Sequence, residues 1–141
     1  MRAKRVLQQL AAFAILSASV AYAGDLTFLA EATNPGNGKI YKAYIDLSTK
    51  HKEGAYQTVK LVSIYDVPIT AAGFAGVKRM VNIYQADCVR RVKRVTYIGF
   101  LDSDGKVIVD EKYTDAKDEP FEAGTVDMKI VPYLCSDTSP R

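Results

Sequence analysis

Residues 89–113, VRRVKRVTYIGFLDSDGKVIVDEKY, contain two runs rich in β-branched and aromatic residues on either side of an Asp-Ser-Asp-Gly turn. Val, Ile, Tyr and Phe favour strands, and Gly105 supplies the positive φ that a tight hairpin turn needs. The stretch predicts two antiparallel strands, Val89–Leu101 and Val107–Tyr113. A calcium loop is the alternative reading of the aspartates. It is disfavoured because the third oxygen ligand and the terminal glutamate of an EF-hand loop are missing.

The same pattern, followed toward the N-terminus, predicts four more strands separated by turn signals. These strands are Asp25–Thr33, Ile40–Leu47, Ala55–Val67 and Val77–Cys88. The stretch Asp66–Gly76 between the last two is different, because it is apolar yet contains Pro68 and two glycines. It predicts a long apolar loop with glycine hinges.

The C-terminal part of the chain changes from a strand pattern to a helical one. Thr125 is the predicted N-cap, and Asp127 falls in the first turn, where the helix dipole favours a carboxylate. The apolar side of the predicted helix consists of Val126, Met128, Ile130, Val131 and Leu134. Pro132 is expected to kink the helix or to shorten it before Cys135. The predicted fold class is α+β, a six-stranded antiparallel sheet with a C-terminal helix packed on one face.

The first 23 residues predict a secretory signal peptide, which leaves residues 24–141 as a single domain. A basic start is followed by an apolar core and by Ala21-Tyr22-Ala23, a small-x-small exit. A transmembrane anchor is the alternative, but the apolar core is shorter than the roughly 20 residues that a spanning helix needs. We therefore expect an exported protein of the periplasm, the outer surface or the extracellular space that does not span a membrane.

The charge of the exported chain argues against a nucleic-acid-binding protein. The whole chain has 19 Lys and Arg against 16 Asp and Glu, but Arg2, Lys4 and Arg5 lie in the predicted signal peptide. Without them the basic and acidic residues are equal in number. Binding to a polyanion by phosphate neutralisation usually requires a basic excess. No nucleic-acid partner is expected.

The chain contains two cysteines, Cys88 and Cys135. If the protein is exported as predicted, both reach an oxidising compartment. An even number of cysteines in a small exported domain predicts a disulfide. A zinc or redox site would need a Cys-x-x-Cys pair or a histidine cluster, and the sequence has neither. The two cysteines are therefore predicted to form one bond that ties the terminal helix to the sheet.

Several short motifs resemble those of the bacterial surface-adhesin protein E family. They are Tyr44-Ile45-Asp46, Asp87-Cys88 followed by basic residues, the strand around Tyr97, and Gly124-Thr125 shortly before the terminal cysteine. The resemblance implies a six-stranded antiparallel sheet, a C-terminal helix and a Cys88–Cys135 bond. The studied members of this family act at the cell surface, where they bind host matrix proteins and in some cases haem, and they can dimerise. A homodimer is therefore plausible, and no cofactor other than haem is suggested.

Catalysis finds little support in the sequence. His51 is the only histidine and lies in a lysine-rich turn, and none of the common hydrolase or phosphate-binding motifs is present. Asp110 and Glu111 are adjacent on a predicted strand, so their side chains point to opposite faces and cannot act on one bond. We expect a protein that is not an enzyme and has no metal site.

The basic run and the apolar loop are the two candidate partner-binding regions. On a regular strand, Arg90 and Arg94 would share a face with Cys88, and Arg91 and Lys93 would share the other. This division favours a structural role, or a position at the edge of the sheet, for the four basic residues. A dedicated binding patch remains open as the alternative. The candidate partner-binding residues are Ile69, Phe74, Val77, Lys78, Arg79, Arg91 and Lys93.

The leading hypothesis is a secreted, non-enzymatic binding module that recognises a host or neighbouring protein through its sheet and loop surfaces. The alternative is a periplasmic carrier of a small, haem-like ligand, or a protein inhibitor, built on the same disulfide-tied sheet.

Overall fold

The computed structural model describes residues 26–136, which form one antiparallel sheet and one helix. The strands are β1 (Leu26–Thr33), β2 (Ile40–Glu53), β3 (Tyr56–Ala71), β4 (Phe74–Asp87), β5 (Val92–Leu101), β6 (Val107–Lys112) and the short β7 (Glu119–Pro120). The helix, α1, spans Asp127–Cys135. Strands β1 to β6 lie side by side in chain order, and β7 pairs with β5. The predicted fold class is confirmed. The predicted signal peptide, residues 1–23, lies outside the described residues.

The side of the sheet that the helix covers carries the larger of two apolar cores. Ile45, Val59 and Tyr84 come from neighbouring strands, and Ile130 and Leu134 come from the helix. Ile130 and Leu134 are four residues apart, so they lie on the same face of α1, and both are fully buried. We call this cluster the helix core. Its burial supplies the hydrophobic free energy that holds the helix on the sheet.

The predicted loop at Asp66–Gly76 is wrong, because the chain continues there as a β-hairpin. Ile69 pairs with Val77 and Ala71 with Phe74, on either side of a two-residue turn at Ala72-Gly73. Both turn residues have positive φ, as a hairpin turn of type I′ requires. The pairing register shifts between Ile64 and Ile69, and Pro68 lies within this irregular stretch. Proline has no N–H to donate to a neighbouring strand, so it is tolerated where the β3–β4 hydrogen bonding is interrupted.

The end of this hairpin, residues 69–77, bends over the face of the sheet that carries the helix; we call it the hairpin tip. The last pair between β4 and β5 joins Arg79 to Leu101, so Phe74 lies several residues beyond the end of that pairing. The Phe74 ring nevertheless lies edge-on to Phe100 with centroids 6.5 Å apart, which requires the tip to fold back. Gly76, with φ of 75°, lies within the tip.

A second, smaller core lies beneath the hairpin tip, and we call it the hairpin core. Its buried members are Tyr65, Ile69 and Val77, and Tyr41 and Phe100 pack against them. One face of the sheet is thus covered by two different elements, the helix toward one end and the hairpin tip toward the other.

The start and end of the helix differ in detail from the prediction. The N-cap residue is Val126 and not Thr125, although the Thr125 hydroxyl accepts a hydrogen bond from the Asp127 N–H at 3.2 Å. Pro132 lies inside the helix, which continues through it to Cys135, so the predicted shortening is wrong. The missing N–H removes one intrahelical hydrogen bond. A helix of this length therefore depends on tertiary contacts for its stability.

The disulfide joins Cys88, directly after β4, to Cys135, the last residue of α1, with their Cα atoms 5.6 Å apart. This confirms the predicted pairing. The two cysteines are 47 residues apart in the chain, so the bond closes a large loop in the unfolded state. It also attaches the C-terminal end of the helix to the end of a central strand.

Replacement of both cysteines by serine should lower the free energy of unfolding by about 2–4 kcal/mol, because the unfolded chain regains the entropy of the open loop. Urea denaturation of the wild type and the double variant without reductant would measure the loss. Wild type treated with a reductant is the matched control and should approach the variant. An unchanged unfolding midpoint in both samples would contradict the expected role of the bond.

Candidate functional site: the turn at Cys88–Arg91

The basic run is not a continuous strand. β4 ends at Asp87 and β5 begins at Val92, and Cys88–Arg91 forms a turn between them, which we call the basic turn. The expected strand over Val89–Leu101 is therefore too long at its start. The division of the four basic residues between two strand faces, which depended on it, does not apply to the turn.

Asp87 closes the basic turn. Its Oδ1 accepts hydrogen bonds from the N–H groups of Val89 and Arg90, both at 3.0 Å, and its carbonyl oxygen accepts the Arg91 N–H at 2.9 Å. Aspartate commonly organises a turn in this way. Arg91 has φ of 58°, a left-handed conformation that the surrounding contacts must maintain. An aspartate at the end of the strand run was the sequence signal for this turn.

Val89 lies in the basic turn with its side chain in solvent. It is 92% exposed, more than any other large apolar residue in the described part of the chain. Residues on both sides of Val89 are restrained, by the disulfide at Cys88 and by the Asp87 hydrogen bonds. The backbone thus presents an apolar side chain in a defined position, which was not among the predicted partner-binding residues.

The Arg90 side chain is held by two carboxylates and a tyrosine hydroxyl. Its Nε lies 2.8 Å from Asp87 Oδ2, its Nη1 lies 3.0 Å from Asp118 Oδ2, and its Nη2 donates to the Tyr56 hydroxyl at 3.0 Å. The Arg94 guanidinium stacks 3.9 Å from the centroid of the Tyr56 ring. These contacts join the basic turn to β3 and to the chain before β7. The two arginines therefore serve the structure.

Lys93 contacts the start of the helix. Its Nζ lies 2.8 Å from Asp127 Oδ2, and the two side chains are only 19% and 2% exposed. Asp127 also accepts hydrogen bonds from the Tyr84 hydroxyl at 2.9 Å and from the Glu122 N–H at 3.1 Å. Burial and the adjacent Asp127 carboxylate raise the pKa of the Tyr84 hydroxyl, which keeps it a hydrogen-bond donor. A partner that bound Lys93 would have to break this pair.

Of the four basic residues in the run at residues 90–94, Arg91 is the exposed one that forms no ion pair with another residue in 26–136. Its guanidinium lies 5.5 Å from the centroid of the Phe121 ring, and its carbonyl oxygen accepts the Phe121 N–H at 3.4 Å. The basic turn thus offers an apolar side chain, Val89, next to a cation on a restrained backbone.

The residues that were predicted to bind a partner at the apolar loop differ in their exposure. Ile69 and Val77 are 6% and 0% exposed in the hairpin core, so they offer no surface to a partner. Phe74 is 40% exposed on the hairpin tip. Lys78 donates from its Nζ to the Asp66 carbonyl oxygen at 2.7 Å. Arg79 is half-buried. Phe74 is the exposed apolar residue that remains of this predicted surface.

The aspartates of the β5–β6 connection form a turn. Asp102 Oδ1 accepts hydrogen bonds from the N–H groups of Asp104 and Lys106, both at 2.9 Å. Within residues 26–136, no group of three or more His, Cys, Asp or Glu side chains is placed to hold a metal ion. His51 is exposed and lies 2.7 Å from Glu53.

Within residues 26–136, a disulfide-tied antiparallel sheet and one helix at the C-terminal end define a small α+β protein. Its sequence matches the family described as surface-adhesin protein E over residues 32–136, most of the chain. The chain belongs to this family. Comparison with curated proteins and with solved structures gave no match. The helix in the described range is neither long nor apolar enough to cross a membrane.

Lys93→Ala should lower the free energy of unfolding by about 2 kcal/mol, because it leaves the buried Asp127 carboxylate without its cation. The loss should be smaller than that for a fully buried pair, since Lys93 keeps some contact with solvent and Asp127 keeps two other donors. Urea denaturation would measure it. Lys129→Ala, an exposed change on the same helix, is the control and should have little effect. Equal midpoints for the two variants would contradict a structural role for the Lys93–Asp127 pair.

Asp87 should make the stability of the protein fall at acid pH. Hydrogen bonds from the Arg90 N–H, the Arg90 side chain and the Val89 N–H hold the pKa of its carboxyl below the usual range. A lowered folded-state pKa contributes stability above the unfolded value of about 3.9, and that contribution is lost as pH falls through the folded-state pKa. The urea midpoint should therefore decrease below about pH 4.

Asp87→Asn separates charge from geometry in this test, because the amide oxygen can still accept the two turn N–H groups. The variant should be less stable than wild type at pH 7, and its midpoint should depend less on pH below 4. Parallel curves for wild type and variant would exclude Asp87 as a source of the acid dependence.

Proposed function

We propose that the protein is an exported, non-enzymatic binding protein that contacts a host or neighbouring protein through the basic turn. The single observation that carries this proposal is Val89, an apolar side chain almost fully in solvent on a turn restrained by the disulfide and by Asp87. Membership of the surface-adhesin protein E family supports a role at the cell surface.

Rigidity is what distinguishes this turn from an ordinary exposed loop. A loop that must become ordered on binding loses conformational entropy, whereas a preorganised loop avoids most of that cost. In the basic turn, the Asp87 hydrogen bonds and the Cys88–Cys135 bond restrain the backbone on either side of Val89 before any partner is present.

The chemistry of the turn favours a protein partner over a nucleic acid. Arg90 and Lys93 are occupied by carboxylates, and Arg94 lies on the Tyr56 ring. The run therefore provides no row of free cations to follow a phosphate backbone. Arg91 beside Val89 combines a guanidinium with apolar area, and arginine is enriched in protein interfaces, where contact energy concentrates in a few central residues.

Membership of the surface-adhesin protein E family supports a partner that lies outside the cell. We propose a host extracellular-matrix protein or a neighbouring surface protein, reached after export by the N-terminal segment. The hairpin tip, with Phe74 exposed, is the other place where such a partner could bind. The two locations can be separated by single substitutions.

Val89→Ser should weaken binding to a matrix protein by about tenfold, because it removes an apolar contact at the centre of the proposed surface. Binding of protein produced from the full-length chain to an immobilised panel of matrix proteins would measure the change. Val107→Ser is the matched control, since Val107 is another exposed valine, at the start of β6, and should leave binding unchanged. Urea midpoints would show that neither variant alters the fold.

Phe74→Ser, measured on the same panel, tests the alternative location. A loss with Phe74→Ser and none with Val89→Ser would move the site to the hairpin tip and overturn the proposal for the basic turn. Wild-type protein that shows no saturable binding to any matrix protein, and no exposure to protease on intact cells, would overturn the proposed function as a whole.

A further inference from the structure

Two hollows lie next to each other along β5, and nothing in the proposed binding function uses them. The larger has a volume of about 400 Å³ and the smaller about 160 Å³. Ile98 and Tyr113 line both of them, so the two hollows adjoin. We call them together the β5 groove. It runs from the part of β5 beside the helix core, at Val95, to the part beside the hairpin core, at Phe100.

The floor of the β5 groove is apolar. Val95, Ile98 and Phe100 line it from β5, all three are half-buried, and together they extend about 17 Å along the strand. Phe74 lines the end at the hairpin tip, where its ring is 40% exposed. An open apolar strip of this length can take several side chains of an extended peptide.

Three carboxylates line the β5 groove with exposed side chains. They belong to Glu111 on β6, to Asp115 in the connection after it, and to Glu119 on β7. None of them forms an ion pair with another residue in the part of the chain that the structure describes. Glu111 accepts a hydrogen bond from the Tyr113 hydroxyl at 3.3 Å. The groove thus combines an apolar floor with unpaired negative charge.

The cations that line the β5 groove do not cancel this charge. Lys93 lies 2.8 Å from Asp127, and the Arg94 guanidinium stacks on the Tyr56 ring. Lys117 is the remaining lining cation, and it has no ion pair within residues 26–136. The unpaired charge along the groove is therefore negative, which favours a cationic ligand and disfavours an anionic one.

We propose that the β5 groove binds a peptide segment of a partner protein in which apolar side chains alternate with lysine or arginine. The apolar side chains pack on the β5 floor, and the long basic side chains reach the carboxylates of Glu111, Asp115 and Glu119. The basic turn offers a cation and the groove offers carboxylates, so the two surfaces select partners of opposite charge.

Three synthetic peptides test the chemistry of the groove. The probe is a capped hexapeptide of alternating lysine and leucine, and its controls replace every lysine by glutamate or every leucine by serine. Calorimetric titration of protein produced from the full-length chain should show saturable binding of the lysine–leucine peptide. Each control should bind at least about tenfold more weakly, because it lacks either the charge or the apolar contacts. Added salt should weaken binding of the probe.

Glu111→Lys locates the charge in the protein. It should weaken binding of the lysine–leucine peptide by about fivefold, since an exposed attraction becomes a repulsion. Asp104→Lys is the matched control, because it changes the net charge equally at an exposed position of the β5–β6 turn that does not line the groove. The control variant should bind the peptide like wild type.

Phe74→Ser locates the apolar contact, and it should weaken binding of the same peptide by about tenfold. Phe28→Ser is its control, since Phe28 is also exposed, at 52%, but lies on β1 away from the groove. Val89→Ser should bind the peptide like wild type, which separates this test from the test of the basic turn. Urea midpoints would show that the variants retain the fold.

Two kinds of result would overturn the proposal. In the first, wild-type protein binds the lysine–leucine and glutamate–leucine peptides equally, or binds neither. In the second, Glu111→Lys behaves like Asp104→Lys, or Phe74→Ser behaves like Phe28→Ser.

A second copy of the chain is the competing occupant, because Val89 and Arg91 of the basic turn also combine an apolar side chain with a cation. Sedimentation of wild-type protein at the concentrations of the titration should show a monomer. A dimer that Glu111→Lys dissociates would overturn the proposal, since the protein itself would then fill the groove.

Discussion

The attachment of one short helix to the sheet is the constraint on which the rest of the structure depends. A nine-residue helix with a proline inside it is marginal by itself. It is held at its start by the Asp127 carboxylate, which bonds Lys93 and Tyr84, and at its end by the Cys88–Cys135 bond. Ile130 and Leu134 fill the space between these two anchors. Loss of either anchor would weaken the attachment of the helix to the sheet.

Both anchors come from the chain segment that also forms the basic turn. Asp87 ends β4 and closes the turn, Cys88 holds the end of the helix, and Lys93 on β5 holds its start. The same short segment therefore stabilises the fold and places Val89 and Arg91 in solvent. The binding surface that we propose is rigid because the contacts that hold the helix also restrain the turn.

The hairpin tip covers a second part of the sheet face that carries the helix, and a gap separates the two elements. The hairpin tip bends toward Phe100 and buries Ile69 and Val77. Neither the helix nor the tip reaches across the middle of the sheet, where a pocket of about 220 Å³ lies between them. The two covers therefore divide one face of the sheet into two cores with a pocket between them.

The sequence by itself determined the fold class and the disulfide, since β-branched runs, turn glycines and two cysteines are local signals. It could not determine what each basic residue does. Arg90, Lys93 and Arg94 resemble one another in the sequence, but their partners Asp118, Asp127 and Tyr56 lie far along the chain. The hairpin tip was missed for a related reason, because strand pairing overrode the local preference of Pro68 and the glycines for a loop. Burial decided that Ile69 and Val77 belong to the core and that Val89 does not, and burial is a property of the folded chain alone.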